Sequence, residues 1–251
     1  MQFVGIIPAR YASTRFPGKP LAGMLGKTMI QRVYERVSEC LDSVYVATDD
    51  ERIRQAVASF GGRVVMTSPD HQSGTDRCQE AVTIINGRYD VVINIQGDEP
   101  FIHPSQIESI RSCFNNPETQ IATLIKPFQQ SDGKEALFNP NTPKVVVNSE
   151  GFALYFSRSV IPYCRGKNPD EWLDCQRYYK HIGMYAYRTE VLKEITRLPP
   201  SFLEKAESLE QLRWLENGYK IKTEITEIET IGIDTLEDLE RAVERYKTGK
   251  P

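Results

Sequence analysis

The stretch Phe3-Val4-Gly5-Ile6-Ile7-Pro8-Ala9-Arg10-Tyr11-Ala12-Ser13-Thr14-Arg15-Phe16-Pro17-Gly18-Lys19-Pro20-Leu21 joins an apolar run to a polar loop. A short, nearly continuous apolar run suits a parallel strand covered on both faces. Three more such runs follow at Val44–Ala47, Val64–Met66 and Val91–Ile95. Between them, Ile30, Val33, Val37 and Leu41 recur at helical spacing, as do Ile53, Ala56, Val57 and Phe60. Apolar runs alternating with helical stripes predict βαβ units, hence an α/β fold with a mostly parallel sheet.

The middle of the chain changes character. Ile121–Lys126, Val145–Val147 and Phe152–Phe156 read as strands with little helix between them. They predict a small antiparallel element, at roughly 120–185, inserted in an otherwise single domain spanning 1–251 and used in self-association. Arg165–Tyr178 reads as polar and irregular. The end returns to α/β character: Leu209, Leu212 and Leu215 share one stripe, Lys222–Ile225 reads as a strand, and Leu236, Leu239, Val243 and Tyr246 form another stripe capped by Asp234 and Thr235.

Composition narrows the function classes. A net charge of −3 leaves no bulk basic field of the kind that draws nucleic acid, so any anion site is local. The cysteines Cys40, Cys78, Cys113, Cys164 and Cys175 are odd in number and form no CxxC pair, which predicts reduced thiols in an intracellular chain. His71, His103 and His181 are far apart and suggest no zinc site. The start has no signal-peptide pattern, and no stretch approaches the ~20 apolar residues that span a bilayer. A cytoplasmic protein without membrane or nucleic-acid partners is expected.

Four segments carry chemistry. The loop after the first run gathers Arg10, Arg15 and Lys19 with Ser13 and a glycine, at the carboxyl end of a strand, where open α/β sheets bind ligands. Exposed amides and cations of this kind suit a triphosphate, although the loop matches neither GxxxxGK[ST] nor GxGxxG. Gln96-Gly97-Asp98-Glu99-Pro100 ends the fourth run in a turn bearing a carboxylate. Taken alone it is a turn; beside the basic loop, Asp98 is a ligand for a hard cation. Asp234 reads as a helix cap or as a second carboxylate for the same cation. Asp70-His71-Gln72-Ser73-Gly74-Thr75-Asp76-Arg77 reads as a helix N-cap on Ser73 or Thr75, or as amides and hydroxyls facing a base or ribose. Arg158, His181, Tyr185, Glu210 and Gln211 are scattered, and spacing alone does not gather them.

Together these segments resemble the 3-deoxy-manno-octulosonate cytidylyltransferase family. The resemblance rests on PARYASTRFPGKPL at 8–21, ATDD at 47–50, DHQSGT at 70–75, QGDEP at 96–100, FNPN at 138–141, ALYFSR at 153–158, HIGMYAYR at 181–188, LEQLRWL at 209–215 and GIDT at 232–235. It runs from about residue 3 to about residue 246. It implies a Rossmann-like, glycosyltransferase-A-like nucleotidyltransferase fold in a homodimer. It implies transfer of CMP from CTP to 3-deoxy-D-manno-octulosonate (Kdo), with release of pyrophosphate, for lipopolysaccharide biosynthesis. Arg10 and Lys19 are then triphosphate ligands with Arg15 nearby, and Asp98 and Asp234 hold Mg²⁺. Ala9, Ser13, Ser73, Gly74 and Thr75 belong to the nucleotide site, and Gln96, Arg158, His181, Tyr185, Glu210 and Gln211 to the sugar-acid pocket. Within the same class, a sialic acid or the 8-amino analogue of Kdo are the alternative substrates. A glycosyltransferase consuming a nucleotide sugar and a non-catalytic nucleotide-binding regulator are the alternatives outside it.

Overall fold

A computed structural model describes residues 1–12, 16–229 and 232–248, the last four by their backbone alone. The chain divides into two compact units, Met1–Ile107 with Arg188–Thr196 and Thr230–Pro251, and Glu108–Tyr187 with Arg197–Glu229.

The first unit runs through β1 (Phe3–Ala9), the short hairpin of β2 (Gly23–Met24) and β3 (Lys27–Thr28), α1 (Met29–Ser38), β4 (Val44–Thr48), α2 (Glu51–Ser59), β5 (Val64–Met66), α3 (Gly74–Ile85) and β6 (Val91–Asn94), to the start of α4 (Pro104–Ser112). Its main strands pair parallel in the order β5-β4-β1-β6, with Ile6 opposite Tyr45 on one side and Asn94 on the other. Val4, Ile6, Ile7, Val46, Ala47, Val91, Val92 and Ile93 are all fully buried. Consecutive side chains of a strand point to opposite faces, so both faces of this sheet are covered, as the unbroken apolar runs require.

Helix α1 starts at Thr28, whose hydroxyl accepts from the Gln31 N–H at 3.3 Å, and buries Met29, Ile30, Val33 and Val37. Leu41 is a correction to the predicted stripe: it lies beyond the end of α1 and is buried against Gly5 instead. A Cβ on Gly5 would come 2.9 Å from Leu41 Cδ1 and 3.2 Å from Val37 Cγ1, so only glycine lets the helix end settle on β1. Likewise Phe60 falls just past α2, which buries Ile53 and Val57.

The second unit holds β7 (Ile121–Pro127), α5 (Gly133–Phe138), β8 (Lys144–Val147), β9 (Ala153–Ser157), α6 (Trp172–Cys175) and β10 (Tyr179–Arg188, whose last residue belongs to the first unit). After α7 (Thr189–Ile195) of the first unit come α8 (Phe202–Glu207), α9 (Glu210–Glu216) and β11 (Ile221–Ile225) of the second, and finally α10 (Leu236–Thr248) of the first. Strand β11 pairs parallel with β7, while β7–β10, β10–β8 and β8–β9 are antiparallel. The α/β class with parallel pairing in the first half and antiparallel pairing in the middle therefore stands as expected.

Two local expectations change, and one strand gave no signal in the sequence. Residues 165–178 hold the short helix α6, and Trp172 and Tyr178 are buried with Phe128 and Leu137 in a small core. Their aromatic rings were diluted among polar neighbours and gave no periodic signal. Strand β10 carries a register shift between Ile182 and Tyr185, which breaks the alternation that would have announced it. Leu236 is 54 % exposed, so the buried stripe of α10 is Leu239 and Ala242, packed with Met24, Met29 and Ile233 and flanked by Val243. The Tyr246 side chain lies outside the described residues.

Candidate active site

The parallel pairing of the first unit brings the ends of β1, β4 and β6 to one edge, and its loops start there. The backbone turns back at Gly18, whose N–H donates to the Tyr11 carbonyl at 2.9 Å. Gly18 has φ 72°, and a Cβ would lie 3.1 Å from the Tyr11 ring, so both backbone and space call for glycine. The Arg52 guanidinium covers the Tyr11 ring at 3.3 Å from its centre. Lys19 follows directly and opens a single 3₁₀ turn.

The Lys19 ammonium lies 2.6 Å from Asp98 Oδ2 and 3.4 Å from Asp234 Oδ1. Three residues from distant parts of the sequence thus converge on one charge cluster, and the Lys19 side chain is only 15 % exposed there. Asp98 is held in place by its turn. A Cβ on Gly97 would sit 3.0 Å from the Pro8 carbonyl oxygen, so the turn lies flat against the end of β1. Asp234 is held from its other side by α10. The Thr235 hydroxyl accepts from the Asp238 N–H at 3.1 Å, and the Asp238 carboxylate accepts from the N–H groups of Thr235 at 2.9 Å and Asp234 at 3.1 Å. Thr235 is therefore the cap of α10, and the Asp234 carboxylate points to Lys19 instead.

Beside this cluster, Ala9 is the buried last residue of β1, and Arg10 donates to the Gln72 carbonyl at 3.4 Å. Ser73 caps α3 by accepting from the Asp76 N–H at 3.1 Å, while Thr75 is buried within the helix. A Cβ on Gly74 would come 3.4 Å from Pro8 Cγ, which places the N-terminus of α3 at the end of β1. That end presents the positive end of the helix dipole to an anion. Gln96 lies in the turn before Asp98, where its carbonyl accepts from the Glu99 N–H at 3.3 Å. Ser13 and Arg15 lie outside the described residues.

The structure also explains residues whose sequence gave no role. Arg77 is almost fully buried, donating to Thr67 Oγ1 at 2.6 Å and Asp49 Oδ2 at 3.2 Å. Asp50 caps α2 through the Arg52 N–H at 2.9 Å. His71 meets Glu80, which also accepts from the Ser68 N–H at 2.8 Å and so pins the loop before α3. A buried arginine has no periodic signature, and these partners are 28, 10 and 9 positions apart.

The second unit gathers its own polar cluster. His181 and Tyr185 lie on either side of the register shift in β10, their rings 5.2 Å apart. Phe156 meets His181 edge-on at 5.2 Å, and Trp214 of α9 meets Tyr185 edge-on at 5.1 Å. Thr123 Oγ1 lies 2.9 Å from His181 Nε2 and 2.8 Å from the Met184 carbonyl. Thr123 has one proton and faces two carbonyls that only accept, Met184 and Ile182 at 3.3 Å; giving the proton to Met184 assigns the N–H to His181 Nε2. Burial pulls the His181 pKa down to about 4, so the ring is neutral near pH 7 and its Nδ1 holds a lone pair. Glu210 and Gln211 open α9; Glu210 pairs with Arg213 at 2.7 Å, whereas Gln211 is 4 % exposed and its Nε2 meets no partner among the described residues. The buried Tyr185 hydroxyl faces the Thr123 side chain but makes no hydrogen bond of full geometry with a described group. Arg158 follows β9 and donates to the carbonyls of Glu207 at 2.6 Å, Pro140 at 2.9 Å and Ser208 at 3.3 Å. A guanidinium has five N–H donors, so its outer edge retains donors for a ligand.

The donor set fits a magnesium ion. Asp98 and Asp234 already share one cation, the Lys19 ammonium, which shows that both carboxylates reach a common point. Among the described residues no group of three or more His, Cys, Asp or Glu is placed to hold a metal alone. Two hard oxygens completed by substrate phosphates are the usual magnesium arrangement.

The family model described as Cytidylyltransferase matches residues 4–223. A 3-deoxy-manno-octulosonate cytidylyltransferase of Parabacteroides distasonis is 69% identical over 244 residues, covering 97% of each chain. One from Bacteroides thetaiotaomicron is 66% identical, covering 98% of this chain and 99% of the relative. Among solved structures, a CMP:2-keto-3-deoxy-manno-octonic acid synthetase complexed with CTP superposes with TM-score 0.90 at 43% identity, covering 99% of this chain and 100% of the other.

Proposed function

Because the chain belongs to the 3-deoxy-manno-octulosonate cytidylyltransferase family, we infer that it transfers CMP from CTP to the anomeric hydroxyl of Kdo, giving CMP-Kdo and pyrophosphate for lipopolysaccharide biosynthesis. The observation that carries the reading is Lys19 held between Asp98 and Asp234 at the end of β1. A basic loop next to paired carboxylates suits a triphosphate with its counter-cation better than a diphosphate sugar.

The reaction needs an oxygen nucleophile in line with the α-phosphorus and a stabilised leaving group. Such transfers depend on positioning and charge, with little covalent work for the protein. Arg10 and Lys19 neutralise the triphosphate as charge moves onto the departing pyrophosphate. Magnesium, held by Asp98 and Asp234, would supply charge neutralisation and lower the nucleophile's pKa. The N-terminus of α3, with Ser73, Gly74 and Thr75, faces the nucleoside side. In the sugar-acid half, the outer edge of Arg158 receives the carboxylate, and Gln211 and Tyr185 offer buried polar atoms for hydroxyls. Neutral His181 orients a hydroxyl through its Nδ1 lone pair, and Glu210 completes the set.

We assign the protein to the cytoplasm, where CTP is made; no helix among the described residues is long and apolar enough to cross a membrane. A homodimer fits the exposed apolar side chains of the second unit, Leu154, Tyr163 and Phe202, which are 61%, 74% and 80% exposed. Light scattering of the purified protein reads that directly. Pyrophosphate release with CTP, Mg²⁺ and a panel of Kdo, its 8-amino analogue and a sialic acid tests the activity. Release led by Kdo supports the reading; a better rate with another member renames the substrate, and silence across the panel overturns it.

A further inference from the structure

Lys144 is the first residue of β8, and its side chain is fully buried. Its ammonium donates to the carbonyls of Asn139 at 3.0 Å, Thr142 at 2.8 Å and Arg158 at 2.7 Å. Three donors meet three neutral acceptors, and among the described residues no carboxylate pairs with it. Burial pushes this lysine below the usual range, with Glu207 the anion that most opposes the shift. Burying an unpaired ammonium is costly, and here that cost is offset only by three charge-assisted hydrogen bonds to main-chain carbonyls.

What the charge holds is specific. Asn139 and Thr142 bracket a tight turn, closed by the Thr142 N–H on the Asn139 carbonyl at 3.1 Å. The Arg158 guanidinium returns to that same turn through the Pro140 carbonyl at 2.9 Å. Lys144 therefore binds the turn and the Arg158 main chain from inside, while Arg158 binds the turn from outside. Glu207 completes the frame, accepting from the Ser157 hydroxyl at 2.6 Å and the Arg158 N–H at 2.8 Å. On the open side lies a cavity of about 420 Å³ lined by Arg158, Pro140, Ser159 and Val160 with Phe138 and Trp172.

We propose that Lys144 is a positioning residue for the sugar-acid half of the reaction: its ammonium fixes Arg158 and the 139–142 turn in the arrangement that receives the substrate carboxylate. The proposal rests on Arg158 as a sugar-acid ligand. Lys144 itself touches no substrate and acts through Arg158.

The test is steady-state kinetics of Lys144→Met, Arg158→Ala and the double variant, with Kdo and CTP varied separately. Loss of the frame raises the KM for Kdo by about ten- to a hundredfold, the scale on which small misplacements from remote changes act, and leaves the KM for CTP within about twofold. In the Arg158→Ala background the Lys144→Met change adds nothing further, because the group it positions is gone. Equal rises in both KM values, or full additivity in the double variant, would mean a general structural role and overturn the proposal. If Lys144→Met does not fold, Lys144→Gln, neutral yet still a donor, replaces it with a smaller rise of the same sign; a folded Lys144→Gln with an unchanged KM for Kdo overturns the proposal as well. Wild-type turnover of Kdo separates the two levels. Its absence brings down the functional reading and the proposal together, whereas normal wild-type turnover with unresponsive variants brings down the proposal alone.

Discussion

The backbone N–H of Ile233 donates to the carbonyl of Asp98 at 3.0 Å, joining the two acid-bearing turns one residue from the second carboxylate. The spacing of Asp98 and Asp234 is thereby set by main-chain bonding as much as by their side chains. A change that spares this bond and neutralises one carboxylate isolates the charge. Asp98→Asn and Asp234→Asn should each lower kcat for pyrophosphate release by about 10²–10³, as loss of a preorganised charge-stabilising group does. Both carboxylates are partly exposed, so losing their contact to Lys19 should cost below about 1 kcal/mol of stability. Urea unfolding beside the activity assay reads both numbers; a fully active Asp98→Asn would sink the metal assignment.

The cap of α10 separates position from charge. Thr235→Ala removes the acceptor for the Asp238 N–H and should destabilise the protein by about 1 kcal/mol. Because the same turn orients Asp234, kcat should fall too, while Thr235→Ser, which keeps the hydroxyl, should restore both. Thermal unfolding and turnover on the three proteins decide it. Loss of stability with untouched turnover would show that the cap does not orient Asp234.

Much of this arrangement was legible in the sequence, and the reasons are physical. Unbroken apolar runs such as Val91–Ile95 have few alternatives to a covered parallel strand, and the loops that end them must lie at one sheet edge. That logic places Arg10, Lys19 and Asp98 at one edge from sequence alone. It left Asp234 open between cap and ligand, because a capping box and a ligand turn share the same residues; only the Thr235–Asp238 bonds divide the roles. Buried polar side chains were the least legible. Arg77, Lys144 and Tyr178 are nearly inaccessible to solvent, yet each reads as surface or noise in a periodicity argument. Their burial depends on partners that tertiary structure alone supplies, and the register shift in β10 hid His181 and Tyr185 from the alternation rule.

His181 gives a pH signature. Its folded pKa is lowered to about 4 from an ordinary 6.5 by burial, so between those values the unfolded chain binds a proton that the folded chain refuses. Unfolding therefore takes up protons in that window, and the contribution of His181 to stability falls as pH drops from about 6.5 toward 4. Above about 6.5 both states are neutral and the effect vanishes. Urea unfolding from pH 7 to 4 should show a steeper acid loss for wild type than for His181→Gln, which has nothing to titrate. Parallel profiles would mean the imidazole is hydrated and titrates normally when folded.

Tyr185 and Gln211 predict opposite signs for stability and affinity. Gln211 Nε2 is buried without a partner among the described residues, the Tyr185 hydroxyl has only a poorly formed contact to Thr123, and an unmet buried polar atom costs about 1–3 kcal/mol. Tyr185→Phe deletes the oxygen and keeps the ring against Trp214, 5.1 Å away, so it should leave stability unchanged or higher. If the hydroxyl is kept for a sugar hydroxyl, the same change should raise the KM for Kdo by about tenfold, near the value of one hydrogen bond, with the KM for CTP unaffected. Gln211→Leu, close in size and apolar, should follow the same pattern. A residue retained only for packing cannot produce this pair of results, because its loss would lower stability and spare binding. Thermal unfolding together with the two KM values decides between these roles. A less stable Tyr185→Phe with a normal KM for Kdo would remove Tyr185 from the sugar-acid pocket and leave its ring as core.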